Sequence, residues 1–217
     1  MQIRKIIAES MADRSLLRAV EGGPVATPEP EISDEGVIAG LCAGHDWAAD
    51  MLYDRVQPAV DRTLRRILQG SDGDYEDLVQ ITLERIIRTL LERRFAGACS
   101  LTTWASAIAS HVGIDAVRGR IRDRTLFGNA DNSGSTLVPG PSLERQIEAR
   151  SEVGLLHATL AAMDARQAET VVLHDLFGHE LSEIAVLMGV SVAAAQSRLV
   201  RGRKELLRRA GARLGGT

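Results

Sequence analysis

The sequence predicts an all-α protein made of two small helical domains. Three observations carry that prediction. Apolar residues recur every three or four positions in several long blocks, as one face of a helix requires. No stretch of useful length alternates with a period of two, so no strand is expected. Residues 125–142, TLFGNADNSGSTLVPGPS, break every helical period and separate two blocks. Aromatic residues are only 3% of the chain, so the helices are expected to pack through Ala, Leu, Val and Ile.

Residues 1–20 carry a short amphipathic pattern of Ile3, Ile6, Ile7 and Met11. Residues 22–31, GGPVATPEPE, hold three prolines and cannot sustain a helix, so 1–32 reads as an extension, flexible in expectation. Ser33 or Asp34 caps a helix to about Ala43. The next helix, about Asp46 to Leu68, has Trp47, Met51, Leu52, Val56, Val60, Leu64 and Leu68 on one side, with Pro58 set to bend or break it. A turn at Gly70–Gly73 leads to a helix from Tyr75 to about Arg94, with Leu78, Ile81, Thr82, Ile86, Leu90 and Leu91 on its inner side. After an irregular stretch from Phe95 to Ser100, Thr102 or Thr103 opens a helix to about Arg124, with Trp104, Ile108, Val112 and Val117 available to the core. The resulting division is 33–124, a linker at 125–142, and 143–217, where Leu155, Leu156 and Leu160 of an opening helix pack on the later helices.

Those later helices, between Arg166 and Arg209, form the most informative stretch. Arg166–Phe177 is stopped by Gly178, Leu181–Met188 by Gly189, and Val192–Arg209 is entered through Ser191, a good N-cap. Gly189 suits the left-handed residue that ends a helix. Ala185 is small where two helices cross, and Ile184, Met188 and Val190 give apolar cover. This is a helix-turn-helix pattern with the last helix as candidate reader. That helix buries Ala195, Leu199, Gly202 and Leu206 and presents Arg198, Arg201, Arg203, Lys204, Arg208 and Arg209 against the single acid Glu205. Gln196 can pair bidentately with an adenine edge.

Composition narrows the partners. The net charge is −3, and residues 1–57 hold ten acids against five bases, so any nucleic-acid contact must be through local patches. Cys42 and Cys99 form no CxxC or Cys/His cluster, and the histidines assemble with no nucleophile or metal set. No enzyme activity, metal or cofactor is therefore expected. The longest apolar runs are far short of a membrane span, no secretory pattern follows Met1, and a cytoplasmic protein without membrane insertion is expected.

Two further surfaces stand out. Asp77 and Gln80 lie three apart on one helix face, and Glu76 and Glu84 make that surface acidic, suited to a basic partner helix. Arg118, Arg120, Arg122 and Arg124 cluster at a helix end as a candidate phosphate patch.

Together these residues resemble a bacterial RNA polymerase sigma factor of the small, two-domain extracytoplasmic-function type, over roughly Asp34 to Arg209. Asp74–Tyr–Glu–Asp–Leu–Val–Gln80 with Thr82–Leu–Glu–Arg85 looks like the second-region helix that grips the polymerase clamp. The resemblance gives Asp77, Gln80, Glu76 and Glu84 to core polymerase. Phe95, Gly97, Ser100, Thr103, Trp104, His111, Arg118 and Arg120 fall on the loop and helix that capture the melted −10 element, with Phe95–Leu101 as the candidate base pocket. Ser191, Ala194, Gln196, Ser197, Arg198, Arg201, Arg203 and Lys204 fall on the fourth-region helix-turn-helix that reads the −35 element. The implied function is a transcription initiation factor that takes core RNA polymerase to promoter DNA. The rival reading is a stand-alone helix-turn-helix regulator. An anti-sigma factor is a further implied partner.

The chain departs from the family pattern at several places. It has Ser106 and Ala107 where an aromatic and a basic residue are usual, and Ser110–His111 for Arg–Asn, positions expected to face melted DNA. It has Ala194, Ala195 and Gln196 for Thr, Val and Lys, Ala162–Met163 for Leu–Pro, and Glu180 for a serine cap. A divergent member is implied.

Overall fold

The computed structural model describes residues 32–69, 72–127 and 143–214, and among them the only regular structure is helical. The expected N-terminal helix and spacer, and linker residues 128–142, lie outside the described residues. The helices are α1 Asp34–Ala43, α2 Asp46–Leu68, α3 Tyr75–Leu91, α4 Leu101–Phe127, α5 Leu143–Ala162, α6 Ala165–Val171, α7 Leu181–Leu187 and α8 Val192–Leu214. A 3₁₀ turn at Asp72–Asp74 precedes α3, and a π turn at Val172–Leu176 follows α6. The described backbone groups into two compact units, residues 32–64 with Asp72–Ala109, and 65–69 with the described residues from Ser110 onward. The division passes through α2 and α4.

In the first unit, Ser33 Oγ accepts the Gly36 N–H at 3.2 Å and starts α1, and Gly44 ends it at φ 80°. Asp34 then ties three elements together. It accepts from Arg55 of α2 at 2.6 Å and from the Leu101 N–H, at the start of α4, at 2.8 Å. Leu52, Val56, Val60 and Leu64 of α2 are buried with Leu83, Ile86 and Leu90 of α3. Pro58 does not break α2, which runs through it with the proline exposed. Trp47 is not a core residue; it is exposed, stacked on His45, with its ring over Gly40, where an added Cβ would come within 2.6 Å.

The inner side of α3 differs from expectation. Ile81 and Leu91 are 44% and 42% exposed, and the buried stripe is Leu78, Val79, Thr82, Leu83, Ile86, Ile87 and Leu90. Asp77, Gln80, Glu84, Arg85 and Arg88 make one polar side of the helix, and Ile81 falls within it, opposite the buried stripe. It also ends three residues before Arg94, because Arg93 takes φ 53°. Thr82 is satisfied in the core by donating to Leu78 O at 2.7 Å.

In the second unit, Asp164 starts α6 by accepting the N–H groups of Arg166 and Gln167, both at 3.1 Å. The helix expected to reach Phe177 instead gives way at Val172 to the π turn, and Gly178 ends it at φ 75°. Glu180 starts α7, its own N–H bonded to Glu183 Oε2 at 3.0 Å, the backward half of a capping box. Gly189, at φ 62°, turns the chain, and Ser191 Oγ accepts the Ala194 N–H at 3.2 Å to open α8. Gly202 of α8 lies against α6, where a Cβ would sit 2.6 Å from Val171 Cγ2. Ala185, Ala195 and Leu199 are buried as the helix-turn-helix pattern requires, whereas Leu156 of α5 is exposed rather than packed.

Candidate polymerase and nucleic-acid interfaces

On α3, Glu76 and Asp77 are exposed in the first turn, where the helix dipole favours acid. Gln80 and Glu84 are half-buried. Ile81 stands exposed beside them. The face therefore sets one exposed isoleucine among acidic and amide side chains. Sequence reading put Ile81 in the core and so missed its place here.

The Phe95 loop is held at both ends. Phe95 and Trp104 rings lie 4.9 Å apart at 51°, so Trp104 is a half-buried support, not core. Ser100 Oγ accepts the Thr103 N–H at 3.1 Å and meets Thr103 Oγ1 at 2.9 Å, which makes these two residues the cap of α4. Leu101 is fully buried, so the expected pocket does not extend to it. A pocket of about 570 Å³ lies instead at the Phe95–Gly97 end, where Gly97 takes φ 68°. Its other wall is Ile38 and Cys42 of α1, with Leu90 and Arg93. Nothing in the sequence pointed to α1 as a wall, because the two segments are over fifty residues apart.

Along α4 the structure corrects several expectations. Ala107 and Ser110 are buried, at 8% and 0%, and so do not face DNA; Ser106 is half-buried with its hydroxyl on Thr102 O at 3.0 Å. His111 approaches Asp115 Oδ2 at 3.2 Å and Glu169 Oε1 at 3.7 Å. Arg118 does not face phosphate. Its Nη2 donates to Met163 O at 2.8 Å and Leu160 O at 3.4 Å. Arg120 is half-buried and Arg122 exposed. Residues two apart on a helix are turned about 200° from each other, so Arg118, Arg120 and Arg122 cannot share one face.

On α8, Gln196, Arg201 and Lys204 are exposed, and Ala194, Ser197 and Arg198 are half-buried. Ser197, Arg201 and Lys204, spaced by four and three, share the face opposite Ala195, Leu199 and Gly202. Arg203 is not free for DNA. It forks onto Asp175, with His174 Nδ1 3.2 Å away. Hydrogen bonding from Arg203 holds the Asp175 carboxyl below its usual range, against the smaller opposing effect of burial. Arg208 and Arg209 both bond Glu205, which they pull down to about 2. Half of the expected cations are thus paired on the protein itself, while Arg198, Arg201 and Lys204 form no ion pair with the described residues.

Among the described residues, no group of three or more His, Cys, Asp or Glu side chains is placed to hold a metal ion, and no single helix is long and apolar enough to cross a membrane.

Two family descriptions match the chain in order: Sigma-70 region 2 over residues 52–123 and Sigma-70 region 4 over 154–206. The chain is 28% identical over 183 residues to the RNA polymerase sigma factor CnrH of Cupriavidus metallidurans, covering 82% of this chain and 94% of that one. It is 30% identical over 186 residues to the ECF RNA polymerase sigma factor SigE of Mycolicibacterium smegmatis, covering 82% and 68%. It is 33% identical over 145 residues to the ECF RNA polymerase sigma factor SigF of Caulobacter vibrioides, covering 66% and 75%. Among solved structures, CnrH in complex with the cytosolic domain of CnrY aligns with a TM-score of 0.48 at 24% identity, over 82% of this chain and 97% of that one.

Proposed function

The chain belongs to the ECF sigma factors of RNA polymerase, and from that premise we propose how its two halves divide the work. As a sigma factor it is not an enzyme; it binds core RNA polymerase and directs it to promoters. Residues 33–124 dock on core polymerase and capture the melted −10 element. Residues 143–217 read the −35 duplex, and 128–142, the segment after α4, tethers the two, raising effective concentration without adding contacts.

The observation that carries this division is the pair of opposed chemistries on α3 and α8. An acidic rim of Glu76, Asp77 and Glu84 around Ile81 suits a basic, partly apolar protein partner. The face of Ser197, Arg201 and Lys204, with Gln196 beside it, suits phosphates and a base edge in a major groove. The pocket beside Phe95 and Gly97 has the size and apolar walls to receive an unstacked base. Work beside polymerase is work in the cytoplasm. An anti-sigma factor is proposed on family membership alone.

Selection from a random duplex library with reconstituted holoenzyme tests the reading. Two conserved boxes at fixed spacing are expected. Recovery of the same single box with and without core enzyme would instead mean a stand-alone regulator.

A further inference from the structure

The Phe95 loop leaves α3 and enters α4, and each end is held by different means. At its start Arg93 takes φ 53°, and Leu90 and Arg93 stand in the wall of the pocket. At its end Ser100 accepts the Thr103 N–H on Oγ at 3.1 Å and the Trp104 N–H on its carbonyl at 3.0 Å. The N–H of Leu101 is one of the donors that the start of a helix cannot satisfy by itself. Its acceptor lies 67 residues earlier: Asp34 Oδ2, at 2.8 Å. The helix dipole favours a carboxylate at that place.

Asp34 is itself held. Arg55 of α2 donates through Nη1 to its other oxygen at 2.6 Å and through Nη2 to Ile32 O at 2.7 Å. One guanidinium thus fixes the Asp34 side chain and the backbone just before α1. It also offsets the charge of a carboxylate placed next to a loop whose proposed ligand is polyanionic.

Asp34, Ile38 and Cys42 follow one another at four-residue steps, on one side of α1. Ile38 and Cys42 wall the pocket of about 570 Å³, with Phe95 and Gly97 across from them. The side of α1 that faces the loop is therefore tied, through Asp34, to the loop's far end.

We propose that Asp34, braced by Arg55, is a positioning residue for the melted strand: its bond to Leu101 sets the gap between α1 and the Phe95 loop that receives an unstacked base. The proposal rests on the reading of that pocket given above. Asp34 acts through the loop and takes no part in binding the base itself. A gap wider by about 0.5–1 Å forfeits a quarter to a half of the contact energy along its walls, so a flat base is gripped only where the gap is fixed.

The test uses the full chain bound to core polymerase and the single-stranded −10 box recovered by selection with holoenzyme. Affinity is measured for the intact strand and for strands with one abasic site, placed at each position in turn. The ratio of intact to abasic affinity reads the grip on a base and does not depend on the fraction of active protein. In the parent the ratio should reach about fivefold or more at one position. Asp34→Ala should bring it close to one, with core affinity unchanged. Asp34→Asn still offers an oxygen to the Leu101 N–H and should restore most of it. If Asp34→Ala does not fold by circular dichroism, Arg55→Gln takes its place, and the same fall is expected. A parental ratio in the variant measured, a parallel loss of core affinity, or an Asn variant no better than Ala would each overturn the positioning role. A ratio of one at every position in the parent would instead sink the reading of the pocket, and the proposal with it.

Discussion

Arg203 and Asp175 form a two-point ion pair, Nε donating to Oδ2 at 2.9 Å and Nη2 to Oδ1. It joins the π turn after α6 to the middle of α8, so an arginine expected on DNA braces the helix proposed to read it. A fork of this kind fixes direction as well as distance. Removing the acid with Asp175→Ala should free Arg203 and take a negative charge from beside the reading face. Nonspecific duplex affinity should rise, and the salt slope should steepen by about 0.9 if Arg203 then reaches a phosphate. An unchanged slope would leave Arg203 with a structural role only.

The same pair predicts a pH dependence. Asp175 is depressed in the folded state, so its contribution is present above its unfolded value, near 3.8, and is lost as pH falls through the lower folded value. Both side chains are partly exposed, so the effect is small. Melting temperatures of the parent and Asp175→Ala should differ by a few degrees at most at pH 7, begin to approach each other below the unfolded value of 3.8, and converge only once the pH is under the lower folded value. A difference that persists at lower pH would mean the ion pair is not its source.

For the polymerase grip, Asp77→Arg with Gln80→Ala should leave folding nearly intact, since both lie outside the core. Surface changes of this kind cost less than about 0.5 kcal/mol of stability. A reversed charge at a tight interface costs roughly 2–5 kcal/mol of binding. Ile81→Ser should behave in the same way, folded but weak on core enzyme. Titration against core polymerase, with circular dichroism beside it, decides the matter. A destabilised Ile81→Ser protein would return that residue to the core.

Arg201→Ala with Lys204→Ala should lower the salt slope of duplex binding by about 0.9 for each phosphate left without its cation, with core affinity unchanged. Gln196→Ala should instead narrow the gap between specific and random duplex affinity. Identical DNA affinity in the parent and the double variant would exclude this face of α8 as the reader.

Two glycines should respond in opposite directions. Gly202→Leu drives a side chain into Val171 and the Gln167 carbonyl and should cost about 1–3 kcal/mol by overpacking. Gly119 sits in α4 with nothing within 4 Å of an added Cβ, and Gly119→Ala should stabilise by about 0.4–1 kcal/mol. Denaturant unfolding measures both. Equal effects would show that the α6–α8 crossing tolerates a side chain.

Sequence alone determined the helices, most of their ends and the family. Ser33, Asp164 and Ser191 accept N–H groups from residues two or three positions away, and Gly44, Gly178 and Gly189 end segments by their own backbone angle. Such signals are complete within one turn of chain, and so are the spacings that placed Ala195, Leu199 and Gly202 on a buried face. Tertiary structure alone decided that Ile81 and Leu91, apolar residues on the polar side of α3, stay outside the core. It also decided the destination of the cations. Arg118 finds carbonyls more than forty residues away, Arg203 finds Asp175 across 28, and α1 becomes the wall of the Phe95 pocket. A guanidinium reads the same in sequence whether it meets phosphate, carboxylate or a helix end, because its partner is selected by distance in space and not along the chain.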